Sequence, residues 1–409
     1  MRLTVILAVL VAGLVAAPGV SAAPQDGDVV PGSYIVTLQA DEAVAAVAAD
    51  HGRRLGADVR HLYRHAVRGY AARMSAAQAE LVAADPRVAA VEPDRVYTVQ
   101  AKPSSGAQST GSLPTGIDRV DAELSSTAAG DGQGAVNVDV AVLDTGIDTT
   151  HPDLNVVGGK NCSTGSSYND GHGHGTHVAG TVAAKDDGAG VVGVAPGARL
   201  WAVRVLNNAG SGTTSSIICG IDYVTANAST IEVANMSLGG SGSDSVCGGS
   251  DTYHNAICRS VGAGVTYVVA AGNSSADANN YRPATYEEVI TVSALADFDG
   301  KPGGLGAATC RSDRDDTFAD FSNYGSDVDL IAPGVCIHST WKSGGYNTIS
   351  GTSMASPHVA GAAALYKANN PGATPTQVKS ALQAAGTTDW SNADDPDGIK
   401  EPLLNVKTF

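Results

Sequence analysis

After its first two dozen residues the chain has no apolar run approaching the roughly 18–20 residues of a membrane-crossing helix, and no membrane is expected to hold it. Cysteine is missing before position 160, and none of the six that follow has the CxxC spacing of a zinc site. GxSxG occurs nowhere, which disfavours an esterase of the α/β-hydrolase kind. Charge is sparse, at 16% of residues, and basic charge sparsest: 25 Lys and Arg stand against 41 Asp and Glu, a net charge of −16. Almost all of that excess lies beyond residue 100. Such a surface repels polyanions, so neither nucleic acid nor an anionic membrane is expected as a partner.

What the chain has in quantity is glycine, 49 residues, and hydrophobic residues at 43%, which suits a compact fold with many tight turns. Arg2 precedes the apolar run LTVILAVLVAGLVAA, and VSA at 20–22 puts small residues where a signal peptidase cuts. Residues 1–22 therefore read as a signal peptide and the protein as secreted. Within residues 23–100, the stretch 32–97 has its own grammar. SYIVTL alternates like a strand, DEAVAAVAADHG is an alanine-rich helix stopped by glycine, and GYAARM can pair as a strand. SAAQAELVAADP is a helix capped by Ser75 and stopped by Pro86, and RVAAVEPDRVYTV returns to strand. That order implies a small α+β domain of ferredoxin-like type. AKPSSGAQSTGSLPTG then reads as an exposed, easily cut linker, which places 101–114 between two domains.

From about residue 115 to 409 strands and helices alternate. VNVDVAVLD, RLWAVRVLN, IEVANMSL, GVTYVVAAGN, VITVSAL and DLIAPG are short runs of the kind buried on both faces, separated by helical patterns such as TTSSIICGIDYVTA. A doubly wound, mostly parallel α/β sheet is expected, with its chemistry at the carboxyl ends of the strands. In an exported chain six cysteines favour disulfides, although spacing alone allows about 15 pairings. Cys247 and Cys258 are the local pair; Cys162 with Cys219 and Cys310 with Cys336 complete one possible set.

Three separated stretches ask for a joint explanation: AVLDTGID with Asp144, HGTHVAG with His174, and GTSMASPHVAG with Ser353. Singly, Asp144 could be a turn former and Ser353 a helix cap. Together they are what a serine nucleophile needs, because the hydroxyl requires a histidine to take its proton and the imidazole requires a carboxylate to fix its tautomer. The three groups are expected in one hydrogen-bonded row. Asn273, ending the strand in AAGN, can supply the amide donor for the oxyanion; by itself it could equally be a turn residue. Ser353 opens an apolar helix whose positive end favours negative charge, with Pro357 expected in its first turn.

AVLDTGIDTTHPDL, GHGTHVAGTVAA, AAGN and GTSMASPHVAG resemble the motifs of subtilisin-like serine proteases, near subtilisin and proteinase K, over roughly residues 115–390. Residues 32–97, with YIVTL and VEPDRV, resemble the inhibitory chaperone propeptide of that family. The resemblance implies Asp144, His174 and Ser353 as a catalytic triad, with Asn273 and the Ser353 N–H as oxyanion hole. In GHGHGTH it assigns the base to His174, leaving His177 structural and His172 a loop residue. It further implies that an extended substrate lies between two backbone edges, Gly210, Ser211 and Gly212 on one side and Ser237, Leu238, Gly239 and Gly240 on the other. These stretches carry no charge, so broad specificity with an apolar or aromatic preference is expected. A structural Ca2+ is implied on the Asp153 and Asp187 carboxylates and the carbonyls of Lys185, Ala189 and Val191; Lys and two Asp at 185–187 depart from the family's more usual neutral residues.

No catalytic cofactor is implied. The partners are protein and peptide substrates and the chain's own propeptide, and a monomer is expected. The propeptide's tail would occupy the active site and be cut near Gln100–Ala101, giving a mature start between 98 and 113; LPTGIDRVDA lacks the tryptophan common near the start of many relatives. Two rivals stand beside this reading. One is an inactive binding protein on a protease scaffold, the other a metal-dependent hydrolase built on His172, His174, His177 and Asp170, whose HxH and HxxH spacings can chelate.

Overall fold

The computed structural model describes residues 25–102 and 113–409; the expected signal peptide and most of the 101–114 linker lie outside the described residues. The N-terminal unit is an antiparallel sheet in the order Asp58–Tyr63, Gly69–Arg73, Val29–Leu38, Val88–Val99, with helices Val44–Leu55 and Ala76–Ala83. Val36, Leu38, Val47, Tyr70 and Val82 form its own small core. Ser75 caps the second helix in both directions, accepting from the Gln78 N–H while the Gln78 side chain accepts from its own. The strand Asp58–Tyr63 was not expected from the sequence. It is an edge strand whose DVRHLY pattern is largely open to solvent, so it carries little apolar signal.

The larger unit is built on a sheet in the order Thr317–Phe318, Ile290–Ala296, Thr266–Ala270, Val233–Met236, Asp139–Asp144, Arg199–Arg204, Val156–Asn161, with Leu330–Pro333 also beside Ile290–Ala296. Every pairing is parallel except the short Thr317–Phe318 edge. Five of the six apolar runs read from the sequence are inner strands of this sheet, and the sixth, DLIAPG, is the strand Leu330–Pro333 that flanks Ile290–Ala296. Their Val, Ile, Leu and Ala side chains are buried because helices cover both faces. The edge strand Val156–Asn161 went unread, since VVGGKN has glycines and a lysine where a buried strand has branched side chains.

Helix Thr352–Asn369 runs through the middle of the molecule and is buried almost all round. Pro357 stands in its second turn, not its first. A proline there has no N–H for the Ser353 carbonyl; that carbonyl instead accepts a hydrogen bond from Ser237 Oγ at 2.9 Å. Disulfides join Cys162 to Cys219, Cys247 to Cys258 and Cys310 to Cys336. No helix of the described residues is long and apolar enough to cross a membrane.

The small sheet lies over helices Thr214–Ala226 and Thr252–Gly262, where Ile35, Tyr63, Ala71 and Tyr97 share one core with Ile217, Ile218 and Tyr253. Carboxylates stitch the polar rim. Asp94 accepts from the Ser215 N–H at 2.9 Å and Ser215 Oγ at 2.6 Å, and Glu92 accepts from Thr252, so each caps the start of a helix in the other unit. In return Asp222 Oδ1 accepts from the N–H groups of Arg64, His65 and Ala66 at 2.6–2.9 Å.

Candidate active site

Asp144 is the last residue of its central strand and is fully buried, so its carboxylate emerges at the carboxyl end of the sheet. His174 is the first residue of the helix that follows. Its Nδ1 lies 2.8 Å from Asp144 Oδ1 and 3.0 Å from Oδ2, which fixes the tautomer with hydrogen on Nδ1 and leaves Nε2 basic. The helix comes this close because residue 175 is glycine: a Cβ there would stand 2.1 Å from the Gly146 carbonyl oxygen.

Asp170 positions the turn before His174. Its two oxygens accept from Thr145 Oγ1, the N–H groups of His172, Gly173 and Thr176, and Thr176 Oγ1, all at 2.7–3.0 Å. Sequence reasoning considered Asp170 only as a metal ligand. An aspartate two residues before the HGHGTH run is the usual signal for a loop carboxylate collecting backbone N–H groups. His177 points away: its Nε2 donates to the carbonyls of Ile337 at 3.0 Å and Asn347 at 3.2 Å, and burial drives it down to about 3, so it is a neutral packing residue. His172 is half-buried and takes the His174 N–H on Nδ1 at 3.3 Å. Two acidic or sulfur clusters among the described residues are close enough to hold an ion, and neither includes these histidines.

Ser353 is the second residue of the Thr352–Asn369 helix, behind Gly351. Its hydroxyl donates to the Ser237 carbonyl at 3.0 Å, and His174 Nε2, though buried, makes no hydrogen bond. The expected row is thus made between Asp144 and His174 but not between His174 and Ser353. Catalytic hydrogen bonds of this kind are commonly loose without substrate and tighten only as the reaction proceeds.

Asn273 follows the strand Thr266–Ala270 across the same sheet end. Its Oδ1 accepts from both Thr352 N–H and Thr352 Oγ1 at 2.9 Å, which turns the Nδ2 amide outward, and that buried nitrogen has no partner. Into this corner comes the tail of the N-terminal domain. The Gln100 carbonyl accepts from the Ser353 N–H at 3.1 Å. At Gly351, φ +149°, a Cβ would lie 2.4 Å from that carbonyl oxygen and 3.2 Å from Asn273 Nδ2, so glycine keeps the corner open.

The same tail is a strand between strands. Val96, Tyr97 and Thr98 pair antiparallel with Thr213, Gly212 and Ser211, and the Val99 N–H donates to the Gly210 carbonyl at 3.0 Å. On the other side Thr98 and Val99 pair with Gly239 and Leu238, the Gln100 N–H reaches the Ser237 carbonyl at 3.4 Å, and Tyr97 lies over Gly240. Beyond the Gln100–Ala101 bond, Lys102 exchanges backbone hydrogen bonds with Ser350. Ser237, Asn235 and Ser356 form a buried hydroxyl–amide chain beneath Ser353 that no motif announced.

The residues named for calcium lie beyond the carboxyl end of the His174–Ala183 helix, where the Lys185 N–H donates to the Asp153 carbonyl. Asp153 is buried, accepting from the Val191 N–H at 3.0 Å and Tyr346 OH at 3.3 Å; burial above all, with Asp187 nearby, raises its carboxyl. Asp187 is exposed and takes the Ala189 N–H at 3.1 Å, and the Lys185 ammonium is turned onto the Pro152 carbonyl at 2.5 Å. Both carboxylates already accept from N–H or hydroxyl groups, so the residues offer hard oxygen donors of the kind Ca2+ takes but not an assembled ligand set.

Compared with known families, residues 136–397 match the subtilase family and residues 33–100 match peptidase inhibitor I9. Subtilisin DY of Bacillus licheniformis is 40% identical over 72% of this chain and 97% of its own. Subtilisin Savinase of Lederbergia lenta is 42% identical over 68% and 92%. Alkaline serine exoprotease A of Vibrio alginolyticus is 39% identical over 81% of this chain, which spans 57% of that longer protein. A cold adapted subtilisin-like serine proteinase of known structure superposes with a TM-score of 0.58 at 36% identity, covering 72% of this chain and 99% of its own.

Proposed function

This chain belongs to the subtilase family and is a serine endopeptidase that carries an I9 inhibitor domain, and from that premise we propose that Asp144, His174 and Ser353 are its triad and Gln100–Ala101 its first substrate. Ser353 Oγ leaves the Ser237 carbonyl, gives its proton to His174 Nε2 and attacks the Gln100 carbonyl carbon. Asp144 stabilises the imidazolium. The oxyanion is met by the Ser353 N–H, already on the Gln100 carbonyl, and by Asn273 Nδ2, which is free in the same corner. His174 then protonates the departing Ala101 amine, leaving an acyl-enzyme that water hydrolyses by the reverse route. No cofactor takes part in these steps.

The observation that carries the reading is the Gln100 carbonyl 3.1 Å from the Ser353 N–H, in a strand clamped on both sides. Backbone pairing of this kind reads main chain more than side chain, which supports broad specificity after the tail departs. After cleavage the N-terminal domain remains an inhibitor because its interface outlasts the bond. The leader-like residues 1–22 and the names of the exoprotease and alkaline protease relatives support secretion. Ca2+ at Asp153 and Asp187, with carbonyls of Lys185, Ala189 and Val191, would hold the loop beyond the His174 helix and supply no chemistry.

A fluorophosphonate should label the active protein at Ser353, and Ser353→Ala should remain an unlabelled, uncut precursor. Processed protein should begin at Ala101. A labelled Ser353→Ala protein, or a mature start that leaves Gln100–Ala101 intact, overturns the assignment.

A further inference from the structure

The Cys247–Cys258 disulfide ties the loop 242–251, which leads on from the strand Leu238–Ser241, to the helix Thr252–Gly262. A purely structural disulfide needs no polar side chains at its sulfurs, yet two converge on this one. Glu288 Oε1 stands 2.8 Å from Cys247 Sγ, and Glu288 Oε2 lies 2.6 Å from His254 Nε2. His254 and Cys258 are one turn apart on the same helix face. The ligand atoms of Cys247, His254, Cys258 and Glu288 all lie within 4.8 Å of one another.

The imidazole is held by its surroundings. Its ring is stacked on Tyr286 at 4.0 Å, with 5° between the planes, and Nδ1 lies 2.9 Å from Ser245 Oγ. With hydrogen on Nδ1 donating to that hydroxyl, Nε2 is left to coordinate, which is how metal-binding histidines are oriented by their neighbours. A second cluster differs in kind. Asp297, Asp299 and Asp315 offer oxygen alone, and Arg119, 3.1 Å from Asp297 Oδ2, already supplies countercharge there. No lysine or arginine among the described residues pairs with Glu288, whose ion-pair partner is His254.

We propose that Cys247, His254, Cys258 and Glu288 become a Zn2+ site once a small thiol has reduced the disulfide. Cys247 is exposed, so its sulfur is open to attack. A thiolate adds there and expels the Cys258 thiolate, and a second thiol releases Cys247, so that two RSH and the disulfide give two cysteine thiols and RSSR. Zn2+ then displaces both thiol protons. Two thiolates, an imidazole and a carboxylate are a four-ligand set of the kind zinc takes, whereas Ca2+ and Mg2+ bind oxygen. Zinc bonds of about 2.0–2.3 Å put tetrahedral donors about 3.3–3.8 Å apart, so the four are nearly in place. The ion keeps the loop beside the substrate edge anchored when the covalent tie is gone.

The full chain carrying Ser353→Ala, reduced with a phosphine and freed of it without oxygen, is titrated with Co2+ and then with Zn2+. The thiolate-to-cobalt charge-transfer band and the intense visible bands of a tetrahedral site should appear, and Zn2+ should bleach them. Unreduced protein should stay colourless. Cys247→Ser, reduced likewise, should lose the charge-transfer band although four other thiols remain. Glu288→Gln keeps the disulfide for folding and, once reduced, should bind Co2+ about 10- to 100-fold more weakly. A reduced parent without the band, a Cys247→Ser protein that keeps it, or a Glu288→Gln protein that binds Co2+ as tightly as its parent overturns the site, and His254 and Glu288 are then packing for a plain disulfide.

Discussion

Asn273 and Asp170 show how differently two buried polar residues are written into a chain. Asn273 has a motif of its own, and its side-chain partners are all on the neighbouring helix start, so Asn273→Ala should remove the free amide together with the two hydrogen bonds from Thr352. A fall in kcat of about 100- to 1,000-fold with KM nearly unchanged is expected, measured on a peptide substrate with processed enzyme. A loss confined to KM would place Asn273 in ground-state binding. Asp170 collects four donors from the turn that follows it and a fifth from Thr145 beside Asp144, and its work is to hold His174 in place. Asp144, His174 and Ser353, the proposed relay, stand out in the sequence because a proton relay restricts residue type as well as order. The chain of Ser237, Asn235 and Ser356 does not: Ser237 was read only as part of a backbone edge and Ser356 only as part of the GTSMASPHVAG motif, and no pattern joins them until the fold does.

At the scale of elements, the strand Val88–Val99 does two jobs: its first half completes the small sheet and its second half is the middle strand between Ser211–Thr213 and Leu238–Ser241. Sequence alternation gave its existence, but not the break in role. The acidic pair in VEPDRV entered the sequence reading only as part of the family resemblance, whereas in the fold both carboxylates are helix caps for the other domain. Asp94→Ala should therefore loosen inhibition. Charge-assisted caps of about 1.5–3 kcal/mol correspond to active protease appearing between tenfold and a hundredfold faster after processing, followed by the lag before peptide hydrolysis. An unchanged lag would mean that the apolar contact alone sets release. Pro357 makes the converse point: proline in a helical pattern marks a disrupted hydrogen bond, but only the neighbouring strand reveals which hydroxyl repairs it.

For the molecule as a whole, burial of neutral histidines ties stability to acidity. Burial drives His177 down to about 3 and His358 down to about 4, while an unfolded histidine titrates near 6.5. Below about pH 6.5 the unfolded chain binds protons that the fold refuses, so stability is lost as pH falls through that window, by about 1.4 kcal/mol per unit for each histidine. In the Ser353→Ala precursor, His358→Gln should flatten this slope. Urea unfolding at pH 6.5 and 5.0 should separate variant from parent by on the order of 1.5 kcal/mol; equal slopes would mean that His358 is charged in the fold. Sheet order at this scale was read correctly in kind, parallel and buried, because continuous apolar runs need cover on both faces. The two edge strands, Asp58–Tyr63 and Val156–Asn161, escaped because an edge needs no such run.

The sequence alone determined the chemistry: which side chains can relay a proton, which strands are buried, that the chain divides near residue 100 into a small α+β unit and a large α/β one. Those properties follow from residue type and local period, which are present before folding. Tertiary structure alone decided where the Gln100 carbonyl rests and that Ser353 Oγ waits on Ser237. Each depends on a distance between residues tens to hundreds of positions apart, and distance across a fold has no local code.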